Sequence, residues 1–164
     1  MIKSSPAPDE ALHAKYERAG AYTDCFTTEI PGEVSHSQFV EAFYTTWVFK
    51  LERVILKWAV AKPSTDVEAR ELAAGARDRF AAWTVEDRAT NQLLMCDYLK
   101  HTRSWLMVAS CELDGVPATR LYFGSAVVPV RRFPYNALLG FHKLYSRLLL
   151  SSTRTRLKKL RTQD

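Results

Sequence analysis

Cysteine, glycine and proline are all scarce in this chain of 164 residues, which contains 3, 6 and 7 of them respectively. Cys25, Cys96 and Cys111 are odd in number and form no CxxC pair, which argues against a disulfide scaffold and for reduced thiols. The chain contains no run near the ~18 apolar residues of a membrane span, and its first residues lack the apolar run of a signal peptide. We therefore expect no transmembrane segment and a cytoplasmic location.

Motifs of the common enzyme classes are also missing. The sequence contains no GxSxG elbow, no Walker A loop and no GxGxxG turn, so hydrolase, nucleotide-phosphate and dinucleotide functions lose their usual support. The four histidines have no HxH, HExxH or HxxxH spacing: His13, His36, His101 and His142. We expect neither a metal nor another cofactor, and a binding protein is favoured over an enzyme.

The composition is that of one ordinary soluble domain, with 47% apolar and 25% charged residues and a net charge of +5. The charge is uneven. Residues 131–164 hold nine basic residues and one acidic residue, whereas residues 1–130 hold fourteen basic and seventeen acidic ones. This pattern permits an anionic partner, although a solvated helix end, with basic residues in the last turn, is the favoured interpretation. The basic cluster at 154–161 contains no aromatic residue, so we expect no sequence-specific binding of nucleic acid.

Residues 1–20 are predicted to form a flexible or partly helical lead-in, followed by one domain over 21–160. Alternating residues predict a strand at Tyr22–Ile30. A capping box at Ser35–Gln38 predicts a long amphipathic helix that continues through Trp58 and ends at Lys62-Pro63. A second capping box at Thr65–Glu68 predicts a short helix that Gly75 closes.

Four more strands are predicted after this helix. Phe80–Val85 and Gln92–Cys96 are expected to pair around a turn at Glu86–Ala89, in which the adjacent carboxylates Glu86 and Asp87 are turn residues. The strand at Thr102–Leu113 is followed by Asp114-Gly115, a strong hairpin signal because both residues tolerate positive φ. The hairpin register then pairs Leu113 with Val116, Glu112 with Pro117, Val108 with Leu121, and Leu106 with Phe123.

The register divides this hairpin into two faces. We expect the first face to meet the core: Ser104, Leu106, Val108, Ser110, Thr119, Leu121, Phe123 and Ser125. The second face is too apolar to be fully solvated: Trp105, Met107, Ala109, Arg120, Tyr122 and Gly124. We expect it to be covered in part by another segment or by a second copy of the chain, which would make the protein a homodimer.

A final helix is predicted from Ala137 to about Lys159. Its apolar stripe is expected to comprise Leu138, Phe141, Tyr145, Leu148 and Leu149. Its basic residues are concentrated after Arg147. The helix is therefore amphipathic in its first half and basic in its second.

The late strand Thr119–Val128 and the closing helix Ala137–Arg147, taken with the element order, resemble bacterial members of unknown function in the START-like superfamily, also called SRPBCC or helix-grip. The resemblance covers about residues 22–157. It implies an α+β fold in which a curved antiparallel β-sheet wraps around a long C-terminal helix and encloses a cavity. Domains that look like this commonly bind lipids, sterols, polyketides or other apolar molecules, and a minority catalyse cyclisation or dehydration. No catalytic motif of the family is matched, so no catalytic residue is carried over.

A sheet curved around an amphipathic helix can leave an apolar gap that suits a small apolar molecule. The candidate ligand-binding residues are Ser104, Leu106, Val108, Leu121, Phe123, Phe141 and Tyr145, with Ser104 and Tyr145 as hydrogen-bonding groups. A filled core without a cavity is an equally good interpretation of the same residues.

Two other functions stay open. A cyclase- or dehydratase-like enzyme requires at least two of Arg120, Tyr145 and His142 to converge in a pocket. An interaction module would instead dock its basic C-terminal helix on an anionic surface through Lys158, Lys159 and Arg161.

Overall fold

A computed structural model describes residues 1–50, 64–128 and 135–161, with the side chains of 144–160 in the last range. The sheet has seven antiparallel strands: β1 (Lys3–Ser4), β2 (Tyr22–Pro31), β3 (Arg79–Phe80), β4 (Trp83–Ala89), β5 (Gln92–Asp97), β6 (Thr102–Leu113) and β7 (Val116–Val127). The helices are α1 (Ala14–Arg18), α2 (His36–Tyr44), α3 (Asp66–Ala73) and α4 (Tyr135–Arg161). The strand order is β1-β2-β7-β6-β5-β4-β3, so β2, which lies near the start of the chain, pairs with β7, the last strand in the sequence. The predicted α+β class, with an antiparallel sheet and a long C-terminal helix, is therefore confirmed.

Both predicted capping boxes are present. Ser35 accepts a hydrogen bond from the backbone N–H of Gln38, whose side chain accepts one from the backbone N–H of Ser35. Thr65 and Glu68 make the same pair of hydrogen bonds at the start of α3. Each box satisfies two backbone donors that the first helical turn leaves unpaired, which fixes where the helix begins.

The expected continuous helix through Trp58 is wrong at Thr45 and Thr46. The hydroxyl of Thr45 donates to the carbonyl of Glu41, and α2 ends at this point. The hydroxyl of Thr46 then accepts from the backbone N–H of Phe49 at 3.2 Å and so caps a new helical turn at 47–50. Residues 51–63, including the predicted end at Lys62-Pro63, lie outside the described residues. This break turns Trp47 to the surface, with 70% of its area exposed, although the periodicity predicts it to be buried.

The β6–β7 hairpin has the predicted register throughout, including the four pairs derived from the sequence. Asp114 and Gly115 have φ values of 53° and 77°, as this two-residue turn requires. β2 adds to the other side of β7, with Phe26 opposite Phe123 and Asp24 opposite Ser125. Three long strands therefore form the centre of the sheet in a fixed register.

The predicted turn at Glu86–Ala89 is also wrong. These four residues belong to β4, and the chain turns instead at Thr90 and Asn91, between Ala89 and Gln92. A second tight turn at Ala81 and Ala82 separates β3 from β4, whereas the sequence analysis predicts one continuous strand at Phe80–Val85. A bulge between Val85 and Asp87 leaves Glu86 without a paired residue on β5. A bulge reorients the side chain that it contains, and here it presents Glu86 to α1.

Each face of the sheet packs against helical segments. The inner face, defined as the side that α2, α3 and α4 cover, carries the large core, including Leu106, Leu121 and Phe123. The outer face carries a smaller core of Leu94, Trp105, Met107 and Tyr122, over which Ala11 and Ala14 pack. The segment before β2 therefore covers the apolar second face of the hairpin.

The last helix, predicted from Ala137 to about Lys159, is α4. Among the described side chains of 144–160, it buries Ser146, Leu149, Leu150, Thr153 and Leu157, so this part of the stripe is rotated from the predicted one. The prediction that Leu148 belongs to the buried stripe is wrong, since 47% of its area is exposed. Tyr145 is partly buried against the large core. The side chains of Leu138 and Phe141 lie outside the described part of the chain.

Candidate functional site

The predicted ligand-binding residues of the hairpin share the inner face. Leu106 and Leu121 are fully buried, Phe123 is nearly so, and Val108 and Tyr145 pack at the margin of the same core. Phe43 of α2 contacts the ring of Phe123, with the two ring centroids 4.9 Å apart. The structure thus brings these side chains together beneath the helices. The side chain of Phe141 lies outside the described residues.

A polar row crosses the inner face at one end of this apolar cluster. Ser104 of β6, Ser125 of β7 and Asp24 of β2 lie opposite one another in register, so all three point to the same side of the sheet. The Oδ1 atom of Asp24 accepts hydrogen bonds from the hydroxyl and, at 3.1 Å, from the backbone N–H of Ser125. The hydroxyl of Tyr22 donates to Oδ2 of Asp24 at 3.3 Å. The row combines a carboxylate with hydroxyl groups beside an apolar surface.

Sequence reasoning placed Ser104 in this row but missed Asp24. Alternation along β2 puts Asp24 on one face with Tyr22 and Phe26, which is a usable signal. The residues of β2 alone do not indicate which strand β2 pairs with, or in which register. The contact between Asp24 and Ser125 spans 101 residues of sequence and depends on that pairing.

The row reaches the surface through a groove at the edge of the sheet, which we call the β2 groove. It has a volume of about 450 Å³ and opens to solvent. Its walls include Tyr22, Asp24 and Phe26 of β2, together with Arg147 of α4. The rest of the lining is Ser4, Ser5, Pro6, Ala7, His13, Glu17, Thr23 and Cys25. β1 pairs with Phe26 and Thr27 of β2, and the backbone N–H of Ser5 donates to the carbonyl of Cys25, so the edge of β2 before Cys25 borders the groove.

Opposite charges stand at the mouth of the β2 groove. The guanidinium carbon of Arg147 lies 5.8 Å from the centroid of the Phe26 ring, a cation–π arrangement. Asp24 lines the same groove two residues before Phe26. Asp24 and Arg147 therefore place side chains of opposite charge along the lining of one groove.

His13 of the N-terminal segment closes the groove from the outer face. It is 1% exposed, its ring centroid lies 4.4 Å from that of Trp105, and its Nδ1 atom has no hydrogen-bond partner among the residues that the structure describes. Burial lowers its pKa to about 4, with a hydrogen bond to the backbone of Asp24 opposing the shift, so the ring is neutral at pH 7. Gly124 makes room for it, because a Cβ there would lie 2.8 Å from Cε3 of Trp105 and 2.9 Å from Nε2 of His13.

The thiol of Cys25, also in the groove, is protonated at neutral pH. Burial, and then the charge of Asp24, raise its pKa to about 12. A thiolate is the reactive form of cysteine, so this position is a poor nucleophile.

The residues proposed for catalysis are divided between two faces. Arg120 lies on the outer face, where its Nη2 atom is 2.8 Å from Oε1 of Glu29. Tyr145 packs on the inner face, so these two side chains do not form a common pocket. The side chain of His142 lies outside the described residues.

A second polar cluster surrounds Glu86 on the outer face. Its carboxylate accepts from the hydroxyl of Tyr16 at 2.5 Å and from Nε of Arg103 at 2.9 Å, and Nζ of Lys15 lies 2.8 Å away. Partial burial acts to raise the pKa of Glu86, but hydrogen bonds from Lys15, Tyr16 and Arg103 outweigh it and hold the pKa below its usual value. Burial and the bond to Glu86 raise the pKa of Tyr16 to about 12. The cluster fastens α1 to the sheet.

No protein-family model matches this sequence, and no curated protein matches it. Across residues 1–50, 64–128 and 135–161, no three His, Cys, Asp or Glu side chains are grouped so as to hold a metal ion. Within those same ranges, no helix has the length and apolar character needed to cross a membrane.

Proposed function

We propose that the chain is a START-like domain that binds a small amphipathic molecule between the inner face of the sheet and α4, with the β2 groove as the entrance. The observation that carries the proposal is the polar row of Ser104, Ser125 and Asp24 at the end of an apolar face that a long helix covers. Binding sites for small molecules are mostly apolar with a few polar groups that orient the ligand, which is the composition of this face.

The geometry also favours a ligand with a polar end. Phe26, Leu106 and Phe123 offer apolar contact, while the hydroxyl of Ser104 and the carboxylate of Asp24 offer hydrogen bonds at one end. Arg147 at the mouth suits an anionic or carbonyl-bearing headgroup. The ligand class is thus an elongated apolar body with one polar terminus, such as a fatty acid or a polyketide.

Catalysis in the same cavity is a weaker proposal. The cyclase- or dehydratase-like alternative draws on Arg120, Tyr145 and His142, and two of these are on opposite faces of the sheet. A binding protein needs no such convergence.

Native mass spectrometry of protein freshly purified from cells tests the proposal. We expect an adduct with the mass of a small molecule that organic extraction removes. Asp24→Asn and Ser104→Ala should each lower the occupancy several-fold while the protein stays folded. Asp114→Asn is the matched control, because it makes the same chemical change at the exposed hairpin tip, where asparagine tolerates the positive φ.

A second measurement uses protein from which organic extraction has removed any bound molecule, which we call the extracted protein. It should bind the apolar fluorescent probe 1-anilinonaphthalene-8-sulfonate at one site, with weaker binding in Asp24→Asn. A folded wild-type protein that carries no adduct and binds no probe would show that the space beneath α4 is filled, and the proposal would be abandoned.

A further inference from the structure

The outward side of α4 carries apolar residues where a solvated helix normally carries polar ones. Leu144 is 59% exposed and Leu148 is 47% exposed, on the side opposite the buried Leu150 and Leu157. Trp47 stands beside this part of the helix and is 70% exposed, because the chain breaks at Thr45 and Thr46. Isolated exposed apolar residues are ordinary, but an aromatic and an aliphatic side chain that border one groove form a patch.

The patch continues into a groove with a basic rim. The groove has a volume of about 420 Å³, and Trp47 and Leu148 line it together with Arg156 and Lys159. The remaining lining residues all carry hydroxyl groups: Thr46, Ser151, Ser152 and Thr155. Guanidinium, ammonium and hydroxyl groups are donors that bind phosphate oxygens. We call Trp47, Leu144, Leu148, Arg156 and Lys159 the α4 outer surface.

The charge of the whole helix has one sign. Residues 135–161 hold seven basic residues and no acidic residue. The patch of Trp47, Leu144 and Leu148 therefore lies within a strongly cationic region. Tryptophan is enriched at membrane–water interfaces, and a helix with basic residues beside exposed leucines is typical of proteins that lie on anionic membranes.

We propose that the α4 outer surface docks on a membrane that contains anionic phospholipid. Trp47, Leu144 and Leu148 enter the interfacial region, and Arg156 and Lys159 contact the headgroup phosphates. A second copy of the chain is a poorer occupant, because a two-fold interface here would bury the basic residues of both copies of α4, and residues 135–161 contain no acidic residue to pair with them. Nucleic acid is also poorer, since Leu144 and Leu148 offer no aromatic plane, which leaves Trp47 as the single ring of the α4 outer surface on which a base could stack.

Vesicle co-sedimentation tests the docking. The wild-type protein should bind vesicles of phosphatidylcholine with 30% phosphatidylglycerol and bind pure phosphatidylcholine vesicles at least tenfold more weakly. The double variant Arg156→Gln, Lys159→Gln should lose affinity for the anionic vesicles by about thirtyfold, since each basic residue near such a surface adds about one factor of five. The double variant Leu144→Gln, Leu148→Gln should lose a similar factor while keeping its charge.

The matched control is Leu99→Gln combined with Lys3→Gln. It removes one exposed leucine, 53% exposed, and one exposed lysine at other places on the surface, and it should bind as the wild type does. Tryptophan emission should shift to shorter wavelength on binding, and Trp47→Phe should abolish most of that shift.

The vesicle measurements would overturn the proposal if the wild type did not bind anionic vesicles, if the control variant lost as much affinity, or if binding were unchanged when Leu144 and Leu148 are replaced. The last result, together with equally tight binding to a polyanion such as heparin, would mean non-specific attraction of charge. A dimer in solution that the leucine variant dissociates would assign the surface to a second copy. None of these measurements depends on a ligand beneath α4, so the two proposals fail separately.

Discussion

His13 makes the stability of the protein depend on pH, and the size of the effect follows from its burial. Burial lowers the pKa of this histidine from 6.5 to about 4 in the folded protein. As the pH falls, His13 therefore becomes protonated near pH 6.5 in the unfolded chain but only near pH 4 in the folded protein. The folded state loses stability as the pH falls through this window, and the loss from this group ends below about pH 4. A shift of this size corresponds to about 3 kcal/mol.

Urea unfolding of the wild type and of His13→Gln between pH 7.5 and pH 4 measures this effect. Glutamine retains an N–H donor toward the backbone of Asp24 but does not titrate. We expect the variant to be less stable at pH 7, because it loses the contact with Trp105, and the difference to shrink by about 3 kcal/mol on acidification to pH 4. Burial also lowers the pKa of His36 to about 4, so His36→Gln is measured in parallel and the double variant should lose both contributions. A difference between wild type and His13→Gln that is constant with pH would refute the reasoning.

Two further variants test the outer face. Gly124→Ala should lower the free energy of unfolding by about 1–3 kcal/mol, because the new methyl group overlaps the rings of Trp105 and His13; equal urea midpoints for the two proteins would contradict this packing. Glu86→Gln should be destabilising at pH 7 and less so at pH 3, because the pKa of Glu86 is lowered on folding, so its contribution is present above the ordinary carboxyl pKa and is lost as the pH falls through the lowered value. Urea unfolding at both pH values measures this, and an equal loss at both would show that the carboxylate charge does not hold α1.

Local signals in the sequence predicted the elements well. The capping boxes at Ser35 and Thr65 work because their hydrogen bonds span three residues. The Asp114-Gly115 turn fixes the hairpin register because both residues accept positive φ, and alternation then sorts Leu106 and Trp105 to opposite faces. In each case the deciding interaction lies within a few residues of the pattern that predicts it.

The errors have two origins: local side-chain competition for backbone hydrogen bonds, and contacts with a distant segment of the chain. Periodicity predicts that the first helix continues past Thr45 and Thr46. Side-chain hydroxyls that bond to nearby backbone groups compete with helix continuation, and here the hydroxyls of these two residues end the helix. Glu86 looks like a turn residue because charged residues are common in turns. Its position is set instead by Tyr16 and Arg103, whose hydrogen bonds with it close loops of 70 and 17 residues. The prediction of the candidate site missed Asp24 for the same reason, since Asp24 lies beside Ser125 only when β2 pairs with β7.

The two proposed surfaces meet at one turn of α4. Arg147 lines the β2 groove, and the next residue, Leu148, lines the groove beside Trp47. Neighbouring residues of a helix point in directions about 100° apart, so a single turn can face the sheet edge on one side and a membrane on the other. An apolar molecule that leaves the membrane at the α4 outer surface is then within one helix turn of Arg147. We therefore expect anionic vesicles to speed the loading of extracted protein with a fatty acid, and the variant Leu144→Gln, Leu148→Gln to remove that acceleration without changing the final occupancy.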